Sequence, residues 1–352
     1  MSGSIAAVSL FSGAGGLDIA SFMAGVPVIA STDFDKDCIA TLKANRQFFG
    51  DTQIIEGDIS SMDSRVFADI VKDRSPEKFI VIGGAPCQPF SKAGYWVGNR
   101  RKGINDPRAF LVNEYLRIVT DISPDGFVFE NVESLLHPSN RTIIDRFTAI
   151  VFEAGYDFRI IRANALDYGV PQKRKRLFIV GTKGRFKHDA PAKTHCPPDK
   201  CGETGLKPYV TAGDAIAGYS GGEFYEEGED PKGGKYYGDL CRIPPGQNYK
   251  ALTAWAGCPE PRFTADKRFW NFLLKLSPDM PSWTVCAQPG PWTGPFHWDN
   301  RRLRMPELAA IQTFPEGYRF CGSRRSVQKQ IGNAVPCLMG KAVVEFLKES
   351  LE

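Results

Sequence analysis

Long apolar runs are missing. Nowhere in the 352 residues do the roughly 18 consecutive apolar positions of a membrane span occur, and none is expected to act at a membrane. The start, Met1-Ser2-Gly3-Ser4-Ile5, lacks the basic and apolar segments of a signal peptide, so a cytoplasmic protein is expected. A disulfide framework is missing too. Nine cysteines is an odd number, and they are scattered (Cys38, Cys87, Cys196, Cys201, Cys241, Cys258, Cys286, Cys321, Cys337), which reads as reduced thiols. There is no internal repeat. A strong charge of one sign is also absent: the net charge is +4, so charge alone does not mark a nucleic-acid partner.

What is present is an ordinary globular composition, 42% hydrophobic and 24% charged. The basic residues gather in four places, Arg100 to Lys102, Lys173 to Arg176, Arg301 to Arg304, and Arg324 with Arg325. Any one of these alone would be a solvated surface. In the first half, short apolar runs alternate with helical patterns. Ala6 to Phe11, Val26 to Ser31, Phe79 to Gly83, Gly126 to Phe129 and Leu177 to Val180 read as buried strands, the rhythm of a doubly wound, mostly parallel α/β sheet. After about Gly184 the texture turns rich in Pro, Gly and Tyr with weak periodicity, which reads as a second, smaller, loop-rich domain. From Ala334 to Leu351 helical spacing returns, and this tail is expected to pack back on the first domain. The division is therefore 1–184, 185–330 and 331–352.

Phe11-Ser-Gly-Ala-Gly-Gly-Leu17 follows the first strand and opens a helix, so its glycines let backbone approach a ligand. Alone, such a turn suits a dinucleotide, a nucleoside or no ligand. The second strand ends at Asp33-Phe34, placing a carboxylate where ribose hydroxyls would lie, and Asp58 ends a third candidate strand, where it can accept from an adenine amino group. In Gly83-Gly-Ala-Pro-Cys-Gln-Pro-Phe-Ser91, Cys87 sits in a Pro-bracketed turn just past a buried strand, either as a reactive thiol or as a small apolar residue. Glu130 and Asn131 end another strand beside it, with a helix cap as the plain alternative. Gln172-Lys-Arg-Lys-Arg176 precedes the strand 177–180, and alternation is expected to turn Arg174 and Arg176 the same way.

In this order and spacing, Phe11-Ser-Gly-Ala-Gly-Gly, Pro86-Cys-Gln-Pro-Phe-Ser, Glu130-Asn-Val, Gln172-Lys-Arg-Lys-Arg, Arg302 to Pro315 and Gln330-Ile-Gly-Asn-Ala-Val-Pro336 resemble the motif set of the DNA cytosine-5 methyltransferases, bacterial or phage type. The resemblance covers nearly the whole chain except 185–280, where that family carries its variable target-recognition region. It implies a Rossmann-like S-adenosylmethionine-dependent sheet, duplex DNA with a specific short recognition sequence as substrate, and catalysis in a single chain, expected to be a monomer. A cognate restriction endonuclease is the functional partner it suggests.

Residue by residue, the resemblance implies that Cys87 adds to carbon 6 of a flipped cytosine, Glu130 holds ring nitrogen 3, and Arg176 binds the base carbonyl with Arg174 in support. Asn131 braces the cysteine turn. The cofactor falls to Phe11, Gly13, Gly15, Gly16, Leu17, Asp33, Phe34, Asp58, Ile59, Pro86, Asn333 and Val335, with aspartate at position 33 where the family usually has glutamate. Gln88 to Asp106, with Gly94, Tyr95, Trp96, Gly98 and Gly103, resembles a closing catalytic loop. Gln88, Ser91, Arg100, Arg101, Arg242 and Arg262 are expected to meet DNA.

Three other readings compete. A tRNA methyltransferase of the same family usually carries Cys-Phe-Thr in its recognition region, whereas here the tripeptide is Arg262-Phe263-Thr264 and Ser91 replaces a threonine. A silent nucleic-acid-binding relative would not need Cys87, Glu130, Arg174 and Arg176 intact. A dinucleotide-dependent dehydrogenase needs a fuller Gly-x-Gly-x-x-Gly turn. His195, Cys196 and Cys201 with Cys241 or Cys258 match no standard zinc spacing, and the chemistry requires no metal.

Overall fold

The computed structural model describes residues 4–86, 110–265 and 268–352. Cys87, Gln88, Ser91, Arg100, Arg101 and the expected closing loop lie outside the described residues.

Strands β1 (Ile5–Leu10), β2 (Val28–Asp33), β3 (Gln53–Glu56), β4 (Lys78–Gly83), β5 (Gly126–Asn131), β6 (Asp157–Asn164) and β8 (Lys175–Thr182) form one sheet in the order β3-β2-β1-β4-β5-β8-β6. Pairing is parallel from β3 through β5, while β8 runs antiparallel to both β5 and β6. The central strands are buried along their whole length, which is why they read as unbroken apolar runs rather than as alternation. Alternate residues still serve opposite faces. Val81, Phe127, Phe129 and Ile179 enter one core, and Ile82, Val128, Phe178 and Val180 enter the other. The second core is closed by helix α1 (Gly16–Met23) and by the last helix, Cys337–Leu351, whose Met339, Val343, Phe346 and Leu347 are buried there.

Strand β6 was not expected. Its Asp157-Phe-Arg-Ile-Ile-Arg-Ala-Asn164 is an edge strand with mostly exposed or half-buried positions, so charges interrupt the apolar signal that marks the inner strands. The strand order reverses between β1 and β4, and ligand crevices of open α/β sheets lie outside the carboxyl ends at such a point. The glycine turn leaves β1 there, and the turn leading to position 87 leaves β4.

Between 185 and 304 regular structure is sparse among the described residues: β9 (His195–Cys196) pairs with β10 (Lys207–Pro208), and short helical turns alternate with loops. β11 (Ser282–Trp283) returns to pair with β7 (Gln172–Lys173) of the first region. Leu240, Ile243, Tyr249, Leu252, Leu273 and Phe296 form a small separate core. Across the expected boundary at 330, Phe314 packs with Ala14, Ile19 and Leu42 of the first region, and Leu308 and Val327 pack with Ala212 and Leu276 of the second. Among the described residues, no helix is long and apolar enough to cross a membrane.

Candidate active site

The glycine turn is held open by its geometry. Phe11 adopts φ 54°, a left-handed conformation that side chains rarely take, and this sets its ring at the mouth of a cleft. Gly16 starts α1 directly against the backbone of Val335; a Cβ there would stand 2.5 Å from the Val335 carbonyl oxygen, so only glycine fits. The cleft, about 180 Å³, is lined by Phe11, Thr32, Asp33, Phe34, Gly57, Asp58, Ile59 and Leu111. Asp33 accepts from the Gly13 amide at 2.8 Å and the Asp35 amide at 2.9 Å, and burial pushes its carboxyl up. Asp58 caps the following turn by accepting from the Ser60 amide at 2.9 Å. The Phe34 ring is 64% exposed, an apolar face left open beside two carboxylates. Asn333 is exposed at the end of its helix, and Leu17 and Val335 are buried in the core behind the turn.

At the ends of β5 and β8 lies a second constellation. Glu130 stands opposite Phe178 in the antiparallel pairing, so Arg176, two residues along the same face, is its diagonal neighbour. Arg176 Nε donates to Glu130 Oε1 at 2.8 Å. Burial pushes the Glu130 carboxyl up, against the opposing pull of Arg176 and Arg174. Gly84 passes so close that a Cβ would sit 2.7 Å from Glu130 Oε2. Asn131 donates from Nδ2 to the Ala85 carbonyl at 3.3 Å, tying the strand end to the segment that leads through half-buried Pro86 to position 87.

Arg174 is held by neighbouring backbone. The extended run breaks at this residue, between β7 and β8, and its guanidinium turns inward to 1% exposure. It donates to the Gly332 carbonyl at 2.7 Å, to Ala334 at 3.1 Å and to Val285 at 3.4 Å. Gln172 and Gln312 complete this buried network: Gln172 Nε2 donates to Gln312 Oε1 at 2.8 Å, and Gln312 Nε2 to Ile331 at 2.6 Å. The effect is to fasten the 285 and 331–334 segments to the strand that carries Arg176.

The chain matches the C-5 cytosine-specific DNA methylase family over residues 5–349. It belongs to that family. Among its relatives, the Type II methyltransferase M.SacI of Streptomyces achromogenes is 38% identical, over 98% of this chain and 93% of its own. The Type II methyltransferase M.NgoFVII of Neisseria gonorrhoeae is 33% identical, over 98% and 86% respectively. A solved structure described as a DNA modification methyltransferase encoded within an E. coli prophage superposes with TM-score 0.68 over 99% of both chains, and at 22% identity it speaks for the fold alone.

As a DNA cytosine-5 methyltransferase, the chain uses S-adenosylmethionine. The cleft suits the nucleoside end of that cofactor, with one open aromatic face at Phe34, the Asp33 and Asp58 carboxylates, and a backbone cradle that a single methyl group at Gly16 would fill. The dehydrogenase reading falls away, and the DNA reading stands over the tRNA one.

Thr32, Gly57 and Leu111 also line the cleft, and no motif singled them out. Asp18 was missed as well. It is fully buried in the first turn of α1, accepts from Ser9 at 2.8 Å and from Ser31 at 2.6 Å, and burial raises its carboxyl to about 6. An aspartate directly after Gly-Gly-Leu, on the apolar side of a helix, was the available signal. Arg242 and Arg262 are exposed in the second region; Arg242 reaches the Glu260 carbonyl at 3.5 Å and Arg262 pairs with Asp239 at 3.0 Å. Cys196 and Cys201 are neighbours, Sγ to Sγ 2.9 Å, and among the described residues no three His, Cys, Asp or Glu side chains converge as a metal set.

Proposed function

We propose that the Cys87 thiolate adds to carbon 6 of a target cytosine turned out of the duplex, and that Glu130 and Arg176 hold the base in place. The observation that supports this most strongly is the Arg176–Glu130 pair, half-buried arginine to buried glutamate, 2.8 Å apart at two strand ends, beside the segment that runs into position 87. Carbon 5 of cytosine is a poor nucleophile until a bond at carbon 6 makes it enamine-like. Glu130, its carboxyl raised by burial, donates its proton to ring nitrogen 3 as the electron pair of the ring shifts there. Arg176 places a positive charge at the base carbonyl, where electron density grows. S-adenosylmethionine, when bound, supplies the electrophilic methyl group that carbon 5 takes up. Transfer of the carbon-5 proton to water, departure of Cys87 as thiolate and return of the ring-nitrogen proton to the Glu130 carboxylate then yield 5-methylcytosine. Asn131 steadies the cysteine turn through Ala85, and Arg174 steadies the arginine strand through the carbonyls it holds. The cofactor is held by Phe11, the Gly13 to Leu17 turn, Asp33, Phe34, Asp58, Ile59, Pro86, Asn333 and Val335.

The reading extends to organisation. Residues 1–184 with 331–352 carry chemistry and 185–330 choose the DNA sequence, with Arg242, Arg262, Gln88, Ser91, Arg100 and Arg101 among the DNA contacts. The protein works as a cytoplasmic monomer and protects sites against a cognate endonuclease, as the Type II designation of its relatives suggests. Bisulfite sequencing of a plasmid from cells making the protein tests this. Cytosines within one short sequence should resist conversion and lose that resistance in Cys87→Ala; full conversion with the wild type, or protection persisting in the variant, would overturn the reading.

A further inference from the structure

The second region leaves large aromatic rings open to solvent within the stretch 255–270: Trp255 is 79% exposed, Phe269 71% and Trp270 48%. Single exposed apolar residues need no explanation, but several large rings in one segment mark a contact surface. Trp255 lines a groove of the second region, about 450 Å³, together with Thr253, Arg262 and Phe263.

Trp270 is the ring that connects this surface to the chemistry. It packs at 5.0 Å on Trp283, whose strand β11 pairs with β7, the two rings tilted by 59°, and Lys173 Nζ lies 4.4 Å over the Trp283 ring. Lys173 is three residues before Arg176 in the chain. Lys173, Trp283 and Trp270 are thus in contact in series, and the chain leads from Lys173 to Arg176.

The backbone behind the rings is fixed. Asn248 Nδ2 donates to the Trp270 carbonyl at 2.6 Å, Tyr249 Oη to the Arg268 carbonyl at 3.0 Å, and the Phe272 amide to the Phe269 carbonyl at 2.9 Å. Tyr249 and Phe272 belong to the small aromatic core beneath, where their rings meet at 5.9 Å. Rings held outward on a braced turn lose little freedom when something stacks on them. Cations stand over the neighbouring rings, Lys173 over Trp283 and Arg268 over Phe272 at 5.2 Å. An aromatic face between cations is the chemistry that receives an unstacked base and its phosphates.

We propose that Trp270, seconded by Phe269, is a stacking platform for a base of the DNA substrate that loses a stacking neighbour when the target cytosine leaves the helix. Trp283 and Lys173 position it relative to the catalytic pair. The inference rests on the DNA methyltransferase reading and adds to it a residue that sets DNA binding rather than chemistry.

The test compares full-length wild type with Trp270→Ala, Trp270→Leu and Trp270→Phe on the plasmid fragment that the wild type methylates. Measured quantities are KM for DNA, kcat, KM for S-adenosylmethionine and melting temperature. Trp270→Ala and Trp270→Leu should raise KM for DNA by about 5- to 150-fold, with kcat at saturating DNA and the cofactor KM changed by no more than about twofold. Trp270→Phe should recover most of the loss, since it keeps a π face, whereas leucine keeps only bulk. Phe269→Ala removes a mostly exposed ring and so spares the fold; it should shift KM for DNA in the same direction by less. A KM for DNA unchanged in Trp270→Ala, or restored as well by leucine as by phenylalanine, would overturn the inference while leaving an active wild type explained. A wild type that methylates no DNA would overturn the functional reading and this inference with it.

Discussion

The two halves of the molecule are stabilised by different means. In the first, apolar strands buried on both faces form a sheet whose backbone bonds to itself, and Glu130 and Arg176 stand at strand ends. In the second, side chains hold backbone. Lys275, 2% exposed, donates to the Ile243 carbonyl at 2.5 Å and to Asn300 at 2.6 Å. Arg304, also buried, pairs with Glu229 at 2.7 Å and donates to the Tyr219 and Gly221 carbonyls. Arg301 and Glu307 are joined by two bonds, of 2.8 and 2.6 Å. The difference teaches how one chain separates tasks. A sheet fixes geometry to the precision that chemistry needs, and stapled loops leave a surface free to differ without disturbing that geometry.

If the contrast is right, one substitution in each half should fail in opposite ways. Glu130→Gln should lower kcat by about 10²- to 10⁴-fold, because an amide can donate to ring nitrogen 3 but delivers no proton. Single-turnover rates carry a further signature. Burial raises the Glu130 carboxyl, so the protonated form persists to higher pH and the wild-type rate should fall as pH rises through that raised value. In Glu130→Gln this limb should vanish. A variant with wild-type kcat would remove Glu130 from the chemistry. Arg304→Ala should do the reverse. It leaves Glu229 and two carbonyls buried without their donor, a loss of about 3–5 kcal/mol in urea unfolding. Calorimetry should still find S-adenosylmethionine bound with near-wild-type affinity where the variant remains folded. A loss of cofactor affinity equal to the loss of stability would mean that the two halves are not separable.

The same contrast governs what was legible in the sequence. Inner strands announced themselves because burial on both faces demands apolar runs, and the glycine turn because it follows such a strand. Edge strand β6 did not, since water on one side permits Arg159 and Arg162 within it. The Arg304–Glu229 and Lys275–Asn300 staples join residues 75 and 25 positions apart with no period between them. Nothing local could have indicated them.

A smaller effect sharpens the comparison from inside the sheet. Asp18 lies under the glycine turn with its carboxyl raised to about 6, facing Ser9 and Ser31 with Tyr318 and Cys337 nearby. A raised carboxyl contributes stability fully below its unfolded value, near 4, and loses it as pH rises through the folded one. Wild type should therefore lose about 1–3 kcal/mol relative to Asp18→Asn between pH 4 and pH 6, with a constant difference above pH 7. A flat difference across that range would show that Asp18 does not titrate in the fold.

The central claim is that Cys87 bonds to the base that Glu130 and Arg176 hold. If the target cytosine carries fluorine at carbon 5, addition and methyl transfer can proceed but no proton remains to be removed, so the enzyme should stay attached. Incubation of fluorinated duplex with protein and S-adenosylmethionine should yield an adduct that survives denaturation, depends on the cofactor, and maps by mass spectrometry to Cys87. No adduct, or one mapped to another cysteine, would contradict the account.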